Sequence, residues 1–346
     1  MIMRGGDVRH EKQTRVISAL PSGAALAAAA ALAAEALAAG KLAAFPTETV
    51  YGLGADASSG EAVAGIYAAK SRPAFNPLIA HVSSAEKARK LGIFNEDALK
   101  LAKAFWPGPL TLVVPICDEC PVSDLARAGL PSLAIRVPAH PVAQAILEAF
   151  GRPVVAPSAN RSGRISPTTA AHVLEELDGR CDIIVDGGPC AVGLESTIVS
   201  CLETPPRILR PGGVTLEELQ SICPGTGIFS AEAAGADGGA EGDLLAPGMM
   251  ASHYAPRARV RLNARDIHAG EAVLDFAGQL AHLVPAGAAH ADLSPQGDLR
   301  EAAARLFACL RALDAGAAST IAVAPVPATG LGAAINDRLK RAAAER

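Results

Sequence analysis

Phe45-Pro46-Thr47-Glu48-Thr49-Val50-Tyr51-Gly52-Leu53-Gly54, followed by Lys70-Ser71-Arg72-Pro73-Ala74-Phe75-Asn76-Pro77-Leu78, is the stretch on which the reading of this chain turns. A short apolar strand over Leu42–Phe45 runs into a polar turn of hydroxyls and ends on glycines. A helix over Glu61–Ala69 follows, and Lys70, Arg72 and Asn76 then arrive together on a Pro-rich loop. Hydroxyls at a strand end suit small polar ligands. A Lys and an Arg two residues apart, with an Asn four further on, suit an oxyanion such as a phosphate.

Further out, strand and helix patterns mix. Leu78–Val82, Leu110–Val114, Leu133–Val137, Val154–Ala156, Ile183–Asp186 and Ser196–Ser200 read as strands. Ala85–Leu91, Asp97–Phe105 and Pro141–Phe150 read as helices. The pattern predicts an α/β fold, a central sheet with helices packed on it. Gly225 to Gly242 is Gly, Ala, Ser and acid with little apolar patterning, which reads as a linker. A second α/β unit restarts at Ala258 and closes with a strand over Ala318–Ala324 and a helix over Gly332–Ala344. Gly330-Leu331-Gly332 lacks the spacing of a nucleotide fingerprint and reads as a tight loop before that helix. The expected division is a loose tail over 1–20, a catalytic domain over 21–224, a linker or lid over 225–257 and a C-terminal domain over 258–346.

With 346 residues there is core enough for two domains. The net charge of −4 argues against wholesale nucleic-acid binding. Seven cysteines lack the spacing of a disulfide framework and fit a reducing compartment, so a cytoplasmic location is expected. Cys117-Asp118-Glu119-Cys120 is a lone C-x-x-C and reads as ordinary thiols; no metal ligands are nominated. The alanine-rich run from Gly23 to Ala39 follows Arg4, Arg9, Lys12 and Arg15 as a leader peptide would. Glu35 interrupts it, and Leu26, Leu32 and Leu37 share one helical face, so it reads as a helix of the fold. No stretch suits a membrane span.

No P-loop occurs, so any ATP phosphates must be held another way; Lys70 and Arg72 are the natural candidates, with Arg210 a third cation and Ser158, Asn160 and Ser166 neutral donors. Ser166-Pro167-Thr168 could equally start the helix Ala170–Leu177, and Lys70 and Arg72 could be a solvated helix end.

Together with Ala156-Pro157-Ser158-Ala159-Asn160, Glu195-Ser196-Thr197, Leu209-Arg210-Pro211-Gly212, Pro247-Gly248-Met249 and His253-Tyr254-Ala255-Pro256, these blocks resemble the Sua5/YrdC/YciO family in its long, two-domain Sua5 form. The resemblance runs from about Pro21 to the C-terminus. It implies a YrdC-like twisted mixed sheet with flanking helices, and a smaller Rossmann-like C-terminal domain. It also implies the reaction of L-threonine, bicarbonate and ATP to threonylcarbamoyl-AMP and pyrophosphate, which serves the t6A37 modification of tRNA through a downstream transferase. Carried over by position, Thr49, His81, Arg136 and Ser196 form the threonine pocket, with Arg136 on the substrate carboxylate. Arg72, Asn76, Ser132, Ser158, Ser166, Arg210 and Tyr254 form the ATP side; Ser132 stands where many relatives have Thr. Lys70, Arg72, Ser158 and Asn160 are the catalytic candidates, with Lys70 either catalytic or phosphate-binding. Mg2+ is expected on the pyrophosphate, and direct tRNA contact is not required. Tyr254 and its neighbours are read as a lid over the nucleotide or as an anchor between domains; if a lid, deletion of 243–346 abolishes activity. An RNA-binding module, a carbamoyltransferase of the hydrogenase-maturation kind and a non-catalytic homologue are the rival readings.

Overall fold

The computed structural model describes residues 13–20, 23–73, 76–229 and 253–345. The first eleven strands form one sheet: β1 (Arg15–Ser18), β2 (Ala43–Pro46), β3 (Tyr51–Asp56), β4 (Ile79–His81), β5 (Leu110–Pro115), β6 (Ser132–Arg136), β7 (Val154–Val155), β8 (Ile183–Asp186), β9 (Thr197–Ser200), β10 (Arg207–Arg210) and β11 (Gly227–Ile228). Their order is β1-β8-β2-β3-β7-β4-β6-β5-β9-β10-β11, with parallel and antiparallel pairs mixed. Helices α1 (Ala24–Ala38), α2 (Gly60–Lys70), α3 (Ala85–Ala88), α4 (Glu96–Phe105), α5 (Asp124–Arg127), α6 (Pro141–Phe150), α7 (Ala170–Leu177) and α8 (Leu216–Ile222) flank it.

The alanine run forms α1 because alanine has the best helix propensity. Its small side chains let it lie close on α6, where Ala29, Ala33 and Leu37 are wholly buried with Ile146 and Leu147. The stretch that imitates a leader is therefore a core helix. The polar turn on which the sequence reading turns is the tip of a hairpin, and the chain does not stop at the glycines. β3 runs through Gly52 and Gly54, paired as Phe45↔Gly52 and Ala43↔Gly54. A Cβ on Gly54 would meet the Phe45 ring at 2.7 Å, so glycine is needed where the wholly buried Phe45 lies across the neighbouring strand.

The expected loose tail is corrected over its described part. Arg15–Ser18 pairs in parallel with β8, register Arg15↔Ile183 to Ser18↔Asp186. The buried Thr14 hydroxyl donates to Cys181 O at 2.8 Å. Residues 1–12 lie outside the described residues, as do Pro247-Gly248-Met249 and most of the expected linker.

A second, all-parallel sheet of β12 (Arg259–Arg261), β13 (Ala272–Asp275), β14 (His290–Asp292) and β15 (Thr320–Val323) has the order β12-β15-β13-β14. It packs with α9 (Leu299–Asp314) and α10 (Leu331–Ala343) around Leu274, Leu306, Phe307 and Ile335. This is the second α/β unit that the composition shift predicts. Gly332 lies in the first turn of α10, which begins one residue earlier than expected, and a Cβ there would meet Pro327 O at 1.9 Å.

The two units are closely docked. Gly193 (φ 72°) lies against α9, where a Cβ would come within 2.6 Å of the backbone of Ala303 and Ala304. Arg311 of α9 donates to Ile165 O and pairs with Glu175 and Glu176.

Candidate functional site

The hairpin tip between β2 and β3 is built by hydroxyls. Thr47 Oγ1 donates to Val50 O at 2.7 Å, accepts from Thr49 N at 3.2 Å, and lies 2.7 Å from Thr49 Oγ1. This presents Thr49 and Glu48 to the end of β6. There Arg136 donates to Thr49 Oγ1 (2.9 Å), Glu48 Oε1 (2.7 Å) and Gly108 O (3.3 Å). Burial pushes the Glu48 carboxyl up, but Arg136 and the Ala139 N–H more than offset it, and the group ends below its ordinary value. Arg136 was expected to meet a substrate carboxylate with both arms of its fork; here those arms engage Glu48 and Thr49.

His81 ends β4 in register with Arg136. It is buried, with Nδ1 3.1 Å from Ile79 O. Burial, with Arg136 adding to it, pushes its pKa down to about 3, so the ring is neutral. Ser196, just before β9, shares a hydrogen bond with Thr111 at 2.8 Å, and Arg210 donates to Ser196 O at 2.9 Å. Arg72 sits after the left-handed Ser71 that caps α2 (φ 51°), and its Nη2 reaches Pro77 O at 3.3 Å. Its Nε is buried with no hydrogen-bond partner. Burial lowers its pKa to about 10.

Thr49, Arg72, His81, Arg136, Ser158, Ser196, Arg210 and Tyr254 thus line one cavity of about 50 Å3. Six residues with no role assigned from sequence share the wall: Val50, Ile79, Ala156, Pro157, Glu195 and His253. His253 is buried among cations; burial brings its pKa down to about 3, and its Nδ1 has no partner. Tyr254 is buried, stacked on Phe307 at 5.6 Å and 5.1 Å from the Arg338 guanidinium, which raises the anchor reading beside the lid reading. A cavity of this size has room for one or two waters, at roughly 30 Å3 each.

Lys70, Asn76, Ser132, Asn160 and Ser166 are buried but not in the wall. Ser132 begins β6, on the same face as Arg136 and about 13 Å from it at roughly 3.3 Å per residue. Between them the face is apolar, with Ile79, Val113, Ala134, Ile198 and Leu209. Ser166 does not cap α7, a place taken by Thr169. Its hydroxyl donates to Glu195 Oε1 at 2.5 Å. The Asn160 amide donates to Arg161 O and Arg164 O, with its Oδ1 buried and unpartnered.

Lys70 is neither a solvated helix end nor in the cavity. Its Nζ donates to Ser158 O and Asn160 O, both at 2.5 Å, and its carbonyl accepts from Ser162 N. Burial, with Arg72 adding to it, holds its pKa well below the lysine value. Its place is under the 158–162 loop, tying it down. Lys70→Met keeps the stem and strands two buried carbonyls, each worth about 1–3 kcal/mol. A loss of about 2–6 kcal/mol in urea unfolding is expected; an unchanged midpoint would contradict this placement.

A larger cleft of about 720 Å3 lies elsewhere, lined by Val82, Lys87, Arg89, Cys117 and Arg152, and holds none of the nominated residues. Cys117 donates there to Lys90 O. Among the described residues, no group of three or more His, Cys, Asp or Glu is placed to hold a metal ion.

Two family models match in succession. The Sua5/YciO/YrdC model, described as telomere recombination, matches residues 35–212. The model of the threonylcarbamoyl-AMP synthase C-terminal domain matches 214–344. The chain belongs to the Sua5/YciO/YrdC family. It is 42% identical over 317 residues to threonylcarbamoyl-AMP synthase of Pyrococcus abyssi, covering 89% of this chain and 92% of the relative. It is 40% identical to the Bacillus subtilis protein of the same name over 321 residues, covering 88% and 90%. Among solved structures it is similar to P. abyssi Sua5 complexed with L-threonine, with TM-score 0.80 and 36% identity, covering 95% of this chain and 97% of the other. E. coli YciO, at 22% identity and TM-score 0.52 over 58% of this chain, shares the fold of the first unit. The two-domain architecture is that of the family's long members.

Proposed function

We propose that the chain is an L-threonylcarbamoyladenylate synthase. It makes threonylcarbamoyl-AMP and pyrophosphate from L-threonine, bicarbonate and ATP, for the t6A37 modification of tRNA, and so is a nucleotidyltransferase. The observation that carries this reading is the convergence of Arg72, Arg136 and Arg210 with the hydroxyls of Thr49, Ser158 and Ser196 on one cavity, in a chain so closely similar to named synthases.

In this reading residues 21–224 carry the chemistry, 225–257 link and cover it, and 258–346 brace it. L-threonine sits by Thr49, His81, Arg136 and Ser196. Neutral His81 presents no charge to repel the ammonium, and Arg136, with Glu48 holding it, offers positive charge to the carboxylate. A site that hydrogen-bonds the substrate hydroxyl rejects analogues lacking it, because its own groups are left unpaired. Bicarbonate and a proton give CO2 and water, and the threonine amine, having lost its ammonium proton, adds to the CO2 and sheds a second proton to leave a carbamate. A carbamate oxygen attacks the α-phosphorus and pyrophosphate leaves. Negative charge grows on the phosphate oxygens, where fixed Arg72 and Arg210 and the Ser158 loop lower the barrier. Ser132 and the apolar face beyond Ile79 suit the far end of the nucleotide.

Mg2+ arrives on the triphosphate as part of the substrate. Pockets for ligands of this size run to roughly 300–1,000 Å3, so a cavity of about 50 Å3 walled by His253 and Tyr254 must widen to take ATP. In the lid reading those residues withdraw to admit ATP and return to keep water from the carbamate and the mixed anhydride. The product passes to a tRNA threonylcarbamoyl transferase, in the cytoplasm. Among the described residues no helix is long and apolar enough to cross a membrane.

The test is pyrophosphate release with ATP, Mg2+ and bicarbonate, with and without L-threonine, following the adenylate by mass spectrometry. Release that needs both threonine and bicarbonate is expected. No release, alongside salt-sensitive RNA binding, would move the assignment to a nucleic-acid module.

A further inference from the structure

Arg338 lies on α10 of the C-terminal domain, outside the cavity wall, with no exposed surface. A guanidinium taken wholly out of water is costly unless it is paired. Its partners come from three places. Nε donates to Glu195 Oε2 of the first domain at 2.7 Å. Nη1 donates to Asp337 Oδ2 at 2.6 Å. The guanidinium lies 5.1 Å from the centre of the Tyr254 ring. Nη2 is buried with no hydrogen-bond partner. Two of these neighbours, Glu195 and Tyr254, are wall residues of the cavity. The other oxygen of Glu195 receives the Ser166 hydroxyl.

We propose that Arg338 is a positioning residue of the synthase site, coupling the C-terminal domain to the ATP side through Glu195 and Tyr254. The proposal rests on the synthase reading above.

Both Glu195 oxygens are spoken for, one by Arg338 and one by Ser166, so the carboxylate is held from two sides and its charge is balanced from behind. Burial alone would push Glu195 toward protonation; Arg338 first, and Arg210 after it, hold it ionised. With Arg338 removed, Glu195 is a buried carboxylate whose other cation is Arg210. It then turns to Arg210 or takes up a proton. Either change alters the charge offered to the triphosphate and releases the Ser166 hydroxyl. Tyr254 loses the cation beside its ring at the same time. The threonine side has its own brace, Glu48 on Arg136, and meets this network at Ser196, whose carbonyl receives Arg210.

Arg338→Met keeps much of the volume and removes the charge. Expected are a fall of about 10- to 100-fold in kcat/KM for ATP and a threonine Kd within about twofold of the parent, read by calorimetry. The acid limb of the ATP profile should move to higher pH, because Glu195 loses the cation that keeps it ionised. The double variant Glu195→Gln with Arg338→Met should be no worse than Arg338→Met alone, since coupled residues are not additive. Should Arg338→Met not fold, Arg338→Lys carries the same test: it keeps the charge, loses the fork and should lower ATP use while sparing threonine binding. An unmoved ATP profile, equal loss on the threonine side, or additive losses in the double variant would each overturn the coupling. The parent protein runs alongside. Failure of the parent to form the adenylate sinks the synthase reading; normal ATP kinetics in the variants sinks only the role of Arg338.

Discussion

Arg72→Ala is expected to cut adenylate formation by about 10²–10³-fold, the range for deleting one preorganised donor aimed at developing charge, or about 2.7–4 kcal/mol. Arg72 is held for this task. Ser71 caps α2 in a left-handed turn, and carbonyls after the Pro-rich loop receive its Nη2, while its Nε remains buried without a partner. A buried donor without an acceptor is costly in a resting protein and useful in one whose substrate brings the acceptor. The loss should fall on kcat with ATP saturating. Threonine affinity should stay within about twofold, because Thr49, His81 and Arg136 are fixed by bonds that do not involve Arg72. Arg72→Lys restores charge without the planar fork and should recover only part of the rate. Pyrophosphate release and threonine calorimetry check both halves. A rate within threefold of the parent would remove Arg72 from the phosphate site.

The second large effect is on stability against acid. His81 and His253 are buried, and burial, the leading cause in each, takes both pKa values down to about 3. Free histidine titrates near 6.5. Above about pH 6.5 both rings are neutral folded or unfolded, so neither costs stability. As pH falls from about 6.5 toward 3, the unfolded chain takes up protons that the folded chain refuses, and stability drops. Each such group contributes about 1.4 kcal/mol per pH unit, so the pair contributes about 2.7 kcal/mol per unit. The depressed carboxylates Glu48 and Glu195 act in the same direction but only below about pH 4.3, where free glutamate titrates. The window from pH 6 to 4.5 therefore belongs to histidines. His140 and His172, also lowered chiefly by burial, add to the slope, so the effect of a variant is read as a difference. His253→Gln should remove about 1.4 kcal/mol per pH unit from the slope of urea-unfolding free energy. A variant with the parent slope would mean that His253 is protonated without cost in the folded protein.

Much of this was legible in the residues. The strands around β4, β5, β6 and β8 are short apolar runs between turn signals, and α2, α4 and α6 carry their own caps. β3 was not legible, because Tyr51-Gly52-Leu53-Gly54 holds the glycines of a turn. They serve a strand in which Phe45 approaches Gly54 too closely for a side chain and Ala156 lies tight against Gly52. At the site, eight nominated residues meet in one wall because they sit in ordered blocks of hydroxyls and cations. Lys70 was legible as important but not as buried, since a lysine at a helix end is ordinarily solvated. Its role follows from two carbonyls that arrive from residues ninety positions away. Glu195 had a visible signal, a carboxylate heading the block Glu195-Ser196-Thr197. Arg338 had none: a basic residue on a C-terminal amphipathic helix looks like any surface arginine until the domains dock.

β1 bears on how the sheet is guarded at its margin. Its partner β8 carries the run Ile183-Ile184-Val185. Such a strand, if outermost, would present unpaired N–H and C=O groups on a flat apolar ribbon, a template for another chain. The short β1, begun by Arg15 and ended by Ser18, takes the outer place instead. A version of the protein trimmed at Pro21 would keep every residue of the cavity and lose this guard, and would be prone to self-association before any loss of chemistry.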